Sequence, residues 1–431
     1  MTDNTVKPRS RALLVGLNCG DLADFDNSDR DTMDELTELL LTAGGEPVLE
    51  AMQNRHSPDP GTFIGKGKAE ELKEMISANE IDLTIFDNEL SPSQAKALEG
   101  ALGCRVIDRT ALILDIFADR AKTREGKLQV ELAQYKYILP RLTGMWGHLV
   151  RQTASGGSSP IGTRGPGETQ LETDRRHIRR KIQALEEEIE DVRRIRSVQR
   201  SRRTKSRIPL ICLVGYTNAG KSTLLNALTG AGVHANDRLF DTLDPTTKLM
   251  QTESFGELLI SDTVGFIRKL PHHLIDAFRA TLEELTYADV LVHVVDAADP
   301  QWRLQMEVVE SLISQLGAEQ TPIVQVFNKC DLLADDELPR QRDAVYCSAK
   351  TGEGLTALLE EVKKALDSGE HHITFILPYS DSSKLDMLYH DAKVIRADYL
   401  ENGIEVEALV DDVTRGRLSE YLPKEPEPWE V

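Results

Sequence analysis

Gly215-Tyr216-Thr217-Asn218-Ala219-Gly220-Lys221-Ser222 follows the apolar run Ile208–Val214 and precedes an apolar helix expected from Thr223. This is G-x-x-x-x-G-K-S in the strand–loop–helix setting that the motif requires. Phosphate groups need a concave set of backbone N–H donors, glycines let the chain wrap closely, and the helix N-terminus adds the positive end of its dipole. Lys221 is placed to reach the β- and γ-phosphates and the Ser222 hydroxyl to hold Mg²⁺, with Thr223 beside it. The fold implied is an α/β nucleotide-binding domain with a mixed, mostly parallel sheet.

Downstream motifs fix the base. Asp262-Thr263-Val264-Gly265 follows the strand Glu257–Ser261. A carboxylate at that strand end can hold Mg²⁺ through water, and the Gly265 N–H can sense a γ-phosphate. Asn328-Lys329-Cys330-Asp331 follows the strand Ile323–Phe327. Asp331 can accept both N–H groups on one edge of guanine, which adenine does not offer, while Asn328 and Lys329 brace the loop and cover the base. Ser348-Ala349-Lys350, after the strand Val345–Cys347, suits backbone donation to the guanine oxygen. The two motifs in this order point to guanine rather than adenine nucleotide, because an unpaired buried carboxylate penalises adenine. Between phosphate loop and Asp262 lies Phe240-Asp241-Thr242-Leu243-Asp244-Pro245-Thr246-Thr247. One threonine here should close on Mg²⁺ when the γ-phosphate is present. Thr242 is favoured, with Thr246 and Thr247 as alternatives. Lys221, Thr242 and Gly265 are the expected catalytic positions, and an antiparallel edge hairpin should turn near Gly256.

Upstream, strands Arg11–Asn18, Glu46–Met52, Ile81–Phe86 and Cys104–Ile107 alternate with helices near Thr32–Ala43, after Gly67 and over Ser91–Leu102. That alternation reads as a small parallel α/β domain over residues 1–120. Gly65-Lys66-Gly67-Lys68 has the wrong spacing for a phosphate loop and reads as a turn before a helix. Apolar residues then recur at Leu128, Leu132, Tyr135, Leu139 and Leu142, and again at Ile178, Ile182, Leu185, Ile189 and Val192. A 3.5-residue period is a coiled-coil seam, so residues 121–205 are expected to form an antiparallel helical hairpin. Its tip, residues 143–168, is longer than the usual helix–helix connection of about two to eight residues. The tip is rich in glycine and carries Trp146, Arg151 and Arg164. The basic helix beside it holds Arg175, Arg176, Arg179 and Arg180. The nucleotide-binding domain should occupy 206–368 and a small α+β domain 369–431, where His371-His372 lacks the further ligands a metal site needs.

The chain of 431 residues carries a net charge of −20, yet residues 140–207 hold 16 Lys and Arg against 8 Asp and Glu. An acidic protein with one basic segment has one candidate polyanion-binding surface, here read as RNA-binding. Five dispersed cysteines show no zinc spacing and fit a reducing compartment. No apolar run is long enough for a membrane span, and Met1-Thr2-Asp3-Asn4 does not open a signal peptide. A cytoplasmic protein without membrane insertion is therefore expected.

The phosphate loop, Phe240-Asp241-Thr242-Leu243-Asp244-Pro245, and Gly162-Thr163-Arg164-Gly165-Pro166-Gly167-Glu168-Thr169-Gln170-Leu171-Glu172 together resemble the HflX family of ribosome-associated GTPases, over nearly the whole chain. The resemblance implies a GTPase whose N-terminal domain and hairpin bind the large ribosomal subunit and its rRNA near the peptidyl-transferase region. It also implies that the GTP form dissociates stalled or idle ribosomes under stress, with a monomer as the expected bound form. It supports Thr242 as the Mg²⁺ threonine, although Asp241 stands where the family more often has a small residue. Asn218 sits where potassium-activated relatives place a K⁺ ligand; a loop-bracing hydrogen bond is the alternative. Phe266 follows Gly265 where many signalling GTPases place a water-orienting glutamine, so slow intrinsic hydrolysis stimulated by the ribosome is expected. Two other readings stay open: a regulatory switch for protein effectors, and an RNA-remodelling NTPase with a second, N-terminal ATP site.

Overall fold

The computed structural model describes residues 10–22, 27–145, 166–206, 208–230, 232, 239–252, 256–270, 274–275, 278, 282–334, 336–367, 370–381, 383–400, 403–411, 414, 417–418 and 421. The expected tip residues Trp146, Arg151 and Arg164 lie outside the described residues.

Four strands, β1 (Arg11–Cys19), β2 (Glu46–Arg55), β3 (Leu83–Phe86) and β4 (Arg105–Asp108), form an all-parallel sheet in the order β2-β1-β3-β4. Helices α1 (Arg30–Thr42), α2 (Lys66–Ala78) and α3 (Pro92–Leu102) connect them. The first and third have local start signals. Asp29 and Ser91 each close a capping box, and Pro92 occupies the first helical turn. Helix α2 starts at Lys66, two residues earlier than expected, because Gly65 is already its N-cap. Its Lys68 pairs with Glu71 at 2.7 Å along the same helix.

A further helix, α4 (Arg109–Arg120), was not separated by sequence reading; Asp108 caps it through the Ala111 amide at 2.9 Å. The hairpin follows as α5 (Arg124–Met145) and α6 (Pro166–Ser206). Its seam joins Leu128, Leu132 and Tyr135 to Ile182, Leu185 and Ile189, in antiparallel order. Helix α5 also packs on the first domain: Arg141 donates to Asp108 at 2.9 Å and to the Leu90 carbonyl at 2.8 Å, and Tyr137 donates to Asp108 at 2.8 Å.

The second sheet has the order β10-β9-β8-β5-β7-β6, formed by β5 (Leu210–Gly215), β6 (Thr246–Thr252), β7 (Gly256–Asp262), β8 (Val290–Asp296), β9 (Ile323–Asn328) and β10 (Val345–Tyr346). All neighbours run parallel except β6 and β7, which pair antiparallel from Thr246↔Asp262 to Thr252↔Gly256. The expected edge hairpin is therefore present. Helix α7 (Lys221–Thr229) starts two residues before the expected Thr223. A third, antiparallel sheet, β11 (Glu370–Leu377), β13 (Gly403–Asp411) and β12 (Lys393–Leu400), carries helix α10 (Ser383–Asp391); α8 (Trp302–Gln315) and α9 (Leu355–Asp367) complete the second domain. His371 and His372 lie in β11, and their side chains lie outside the described residues.

Each of the first two sheets has a core of its own, around Leu13, Leu72 and Phe86 in one and Leu213, Leu224 and Val326 in the other, and the two sheets also share a third. One apolar cluster runs from Leu14, Leu36 and Phe117 through Val130 of α5 to Phe240, Phe266 and Leu312. Burying a large apolar side chain is worth about 1.5–3 kcal/mol. A continuous cluster of this kind therefore ties the N-terminal domain to the second sheet.

Candidate functional site

Parallel strands β5, β7, β9 and β10 end on one edge of the sheet, which places Gly215, Asp262, Asn328 and Ser348 together. The carboxyl ends of such strands are where α/β sheets bind ligands. The loop after β5 turns through Asn218 (φ 61°) and Gly220 (φ 92°) into α7. A Cβ at Gly220 would land on the Asn328 side-chain amide, so only glycine lets these two loops meet. Gly265 is comparably confined, since a Cβ there would stand 2.9 Å from Thr217 Cα and 3.1 Å from Lys221 Nζ.

The cleft is lined by Thr217, Asn218, Lys221, Ser222, Asp241 and Thr242. Lys221 is buried and donates to the carbonyls of Tyr216 at 2.7 Å and Gly215 at 3.1 Å. Burial pulls its ammonium down to about 8, with Asp262 opposing that shift. Ser222 Oγ lies 2.8 Å from Thr242 Oγ1 and donates to Asp262 Oδ2 at 2.5 Å. Burial raises the Asp262 carboxyl, against the pull of Lys221 and of hydrogen bonds from Ser222 and Thr242. Its Oδ1 is buried without a hydrogen-bond partner among the described residues. Two hydroxyls and an orphaned carboxylate oxygen make a hard, oxygen-only donor set, which fits Mg²⁺. Of the threonine candidates, Thr242 is the one joined to Ser222. Thr247 instead meets Ser261 at 3.1 Å, and Thr246 lies in β6 opposite Asp262.

The base-side motifs come to the same edge. Asn328 Nδ2 donates to the Ala219 carbonyl at 2.9 Å, and its Oδ1 accepts from the Ala349 amide at 2.9 Å. One side chain thus locks the phosphate loop to the Ser348-Ala349-Lys350 loop. Lys329, in a left-handed conformation (φ 64°), pairs with Asp296 at 2.7 Å. Asp331 is exposed and accepts from Ser348 Oγ at 2.6 Å, which fixes the plane of its carboxylate. Cys330 is partly buried and donates its thiol to the Phe327 carbonyl at 3.2 Å. Thr263 donates to the Leu213 carbonyl at 2.6 Å, and Val264 is buried.

Phe266 is 1% exposed, and its backbone exchanges hydrogen bonds with Gly215 and Thr217 at 3.1 and 2.7 Å. Its ring belongs to the shared core and not to the cleft. Elsewhere, Arg176, Arg179 and Arg180 are exposed on α6, and none has a carboxylate partner among the described residues. Arg175 is half-buried on the same helix.

Sequence reasoning missed the side chains that bind this cleft to the N-terminal domain. The Phe240 ring meets Phe117, the Asp241 carboxylate faces Arg120, the Asp244 carboxylate faces Lys122 and Thr123, and the Tyr216 hydroxyl reaches Glu35. Asp108 ahead of an apolar run was the local signal for α4, but nothing local named its partners.

Fold and site together define a P-loop nucleotide-binding domain with guanine-type base motifs. Family models described as "GTP-binding GTPase N-terminal", "GTP-binding GTPase Middle Region" and "50S ribosome-binding GTPase" match residues 30–118, 120–203 and 210–329. GTPase HflX of Caldanaerobacter subterraneus subsp. tengcongensis is 47% identical over 97% of this chain and 95% of its own. GTPase HflX of Escherichia coli strain K12 is 43% identical over 87% of this chain and 88% of its own. A GTP-binding protein from the hyperthermophilic archaeon Sulfolobus solfataricus, solved in complex with GDP, is 24% identical, covering 84% of this chain and 99% of that chain at a TM-score of 0.41. The chain belongs to the HflX family of GTPases. Among the described residues no helix is long and apolar enough to cross a membrane.

Proposed function

We propose that this protein binds GTP with Mg²⁺ in the cleft at Gly215–Thr223, hydrolyses it to GDP and phosphate, and in its GTP form dissociates stalled or idle ribosomes by binding the large subunit and its rRNA in the cytoplasm. The observation that carries the nucleotide reading is the convergence of Ser222, Thr242 and Asp262 beside buried Lys221. Lys221 meets the β- and γ-phosphate oxygens as an ammonium already stripped of water. Gly265 lines the same cleft, where its N–H can mark the presence of a γ-phosphate. Asp331 accepts the guanine N–H groups while Ser348 holds its orientation. When bound, Mg²⁺ neutralises phosphate charge at the two hydroxyls and Asp262. With Phe266 in the core, no side chain at that position orients the attacking water, so the intrinsic rate is slow and the ribosome supplies the missing group. Asn218 is a candidate K⁺ ligand; equal hydrolysis rates in K⁺ and Na⁺ buffers would remove that role.

The ribosome reading is supported by Arg176, Arg179 and Arg180 of α6, which have no acidic partner among the described residues, and by the family relationship. Backbone phosphate contacts of this kind weaken as salt rises. The test is co-sedimentation with purified large subunits across a salt series, comparing GTP-analogue and GDP forms, with and without residues 143–168. Nucleotide-dependent binding that weakens on loop deletion is expected. Binding indifferent to nucleotide and loop would leave the GTPase standing and remove the ribosome-splitting role.

A further inference from the structure

Residues 240–244 stand between the cleft and the corner where α4 gives way to α5. Three contacts hold this segment from the N-terminal side. The Phe240 ring lies edge-on to Phe117 with centroids 4.7 Å apart. Arg120 Nη1 is 3.4 Å from Asp241 Oδ1. The Asp244 carboxylate accepts from the Lys122 amide at 2.8 Å, from the Thr123 amide at 2.9 Å, and from the Thr123 hydroxyl. Thr123 Oγ1 in turn accepts from the Gly126 amide at 3.0 Å, so Thr123 caps α5 and Asp244 holds the cap. A Cβ at Gly126 would fall on Asp244 Oδ1, which shows how closely the carboxylate is seated on the first turn. A negative charge there also meets the positive end of the α5 dipole.

Thr242 lies between the two charged anchors. Its hydroxyl is 2.8 Å from Ser222 Oγ, and it is two residues from Asp244. Two residues span at most about 7 Å of extended chain. Thr242 cannot move far from the metal position without pulling Asp244 off α5, and the converse also holds. The second half of this linkage is α5 itself, whose far end leads into the hairpin tip.

We propose that Arg120 and the Lys122–Thr123 start of α5 are positioning groups for Thr242, and that through Asp244 the same contact transmits the nucleotide state to the helical hairpin. The proposal rests on the nucleotide reading given above. With a γ-phosphate bound, Thr242 is drawn in and Asp244 caps α5. With GDP the cap loosens, and the hairpin loses its fixed base.

The test uses the full chain without ribosomes. Hydrogen exchange over residues 119–128 is expected to be about tenfold slower with a GTP analogue and Mg²⁺ than with GDP, as one or two charge-assisted bonds protect the first turn. Asp244→Ala should abolish that difference, and Asp244→Asn, which keeps one acceptor oxygen, should retain part of it. Arg120→Ala should raise the Mg²⁺ concentration for half-maximal analogue binding about tenfold while weakening GDP much less. Arg120→Glu combined with Asp241→Arg should restore the wild-type Mg²⁺ requirement. Identical exchange in both nucleotide states, or equal loss of analogue and GDP binding in Arg120→Ala, would overturn the coupling alone. Failure of the wild-type chain to bind the analogue in the first titration would overturn the nucleotide reading itself, and this proposal with it.

Discussion

The Tyr216 hydroxyl donates to Glu35 at 2.5 Å and accepts from the Arg268 amide at 2.8 Å, so a phosphate-loop residue is bonded directly to the first helix of the N-terminal domain. The contact lies in a buried polar network. Arg109 pairs with both Glu35 and Asp87, Lys269 pairs with Asp87, and Ser28 donates to Asp87 at 2.7 Å. Burial and the neighbouring Glu35 push the Tyr216 hydroxyl well above its ordinary pKa, which keeps it a donor at any physiological pH.

Tyr216→Phe removes that donor and leaves a Glu35 oxygen and the Arg268 N–H facing an apolar edge. The expected cost is about 1–3 kcal/mol, the usual penalty for unmade buried hydrogen bonds. Thermal melting of the nucleotide-free chain reads it directly. A melting temperature equal to wild type would mean the contact carries no stability.

Asp87 provides the pH-dependent part of the same network. Burial by itself works against its ionisation, but the charges of Arg109 and Lys269 hold the carboxyl below its ordinary value of 3.8. A carboxylate depressed in the folded state contributes stability that is complete above the unfolded pKa. That contribution is lost as pH falls through the lower folded value. Asp87→Asn leaves buried Lys269 without its carboxylate and Arg109 with Glu35 alone, and should cost about 3–5 kcal/mol at neutral pH. Urea midpoints of wild type and variant should differ by a steady amount from pH 7 down to about 3.8, and the gap should close only as pH falls further, through the lower folded value. A gap that stays unchanged in that more acidic range would place the stabilisation elsewhere.

These two predictions also mark where sequence reading stops. The phosphate loop was legible because its spacing, strand and helix are contiguous, and Asn328 and Asp331 because each follows an apolar strand directly. The hairpin seam was legible because Leu128–Leu132–Tyr135 and Ile182–Leu185–Ile189 repeat at the coiled-coil period. The interface was not. Asp87 and Lys269 are 182 positions apart, Tyr216 and Glu35 181, and no periodicity links such pairs. Helix α4 was missed because it follows β4 with no intervening turn: Asp108 is both the last residue of the strand and the cap of the helix. Thr242 was favoured over Thr246 and Thr247 in the sequence through the family resemblance, since all three can carry the same ligand oxygen, and in the structure it is the one that meets Ser222.

Phe266 gives a prediction opposite to a simple motif argument. Installing the glutamine of signalling GTPases at this position would place an amide inside the shared core, since the ring is 1% exposed. Phe266→Gln should therefore leave basal hydrolysis no faster and lower stability by about 3 kcal/mol, from lost apolar burial and an unsatisfied polar group. Single-turnover hydrolysis and thermal melting on the same preparation check both halves. A faster basal rate without loss of stability would show that the side chain at 266 reaches the cleft.

Asp331 offers the sharpest test of base recognition. Its Oδ1 is held by Ser348 at 2.6 Å, and that oxygen can be kept in Asp331→Asn because an amide oxygen also accepts from a hydroxyl. The replaced atom then presents N–H donors where guanine presents its exocyclic amine, so donor faces donor. Xanthine has a carbonyl in place of that amine and accepts from the new N–H while still donating its ring N–H. GTP affinity should fall about a hundredfold or more, and xanthosine triphosphate should become the preferred ligand. Competition binding with the two nucleotides on wild type and variant measures the reversal. Retained preference for GTP in the variant would mean that Asp331 does not contact the base, and guanine selection would have to rest on the Ser348-Ala349-Lys350 backbone alone.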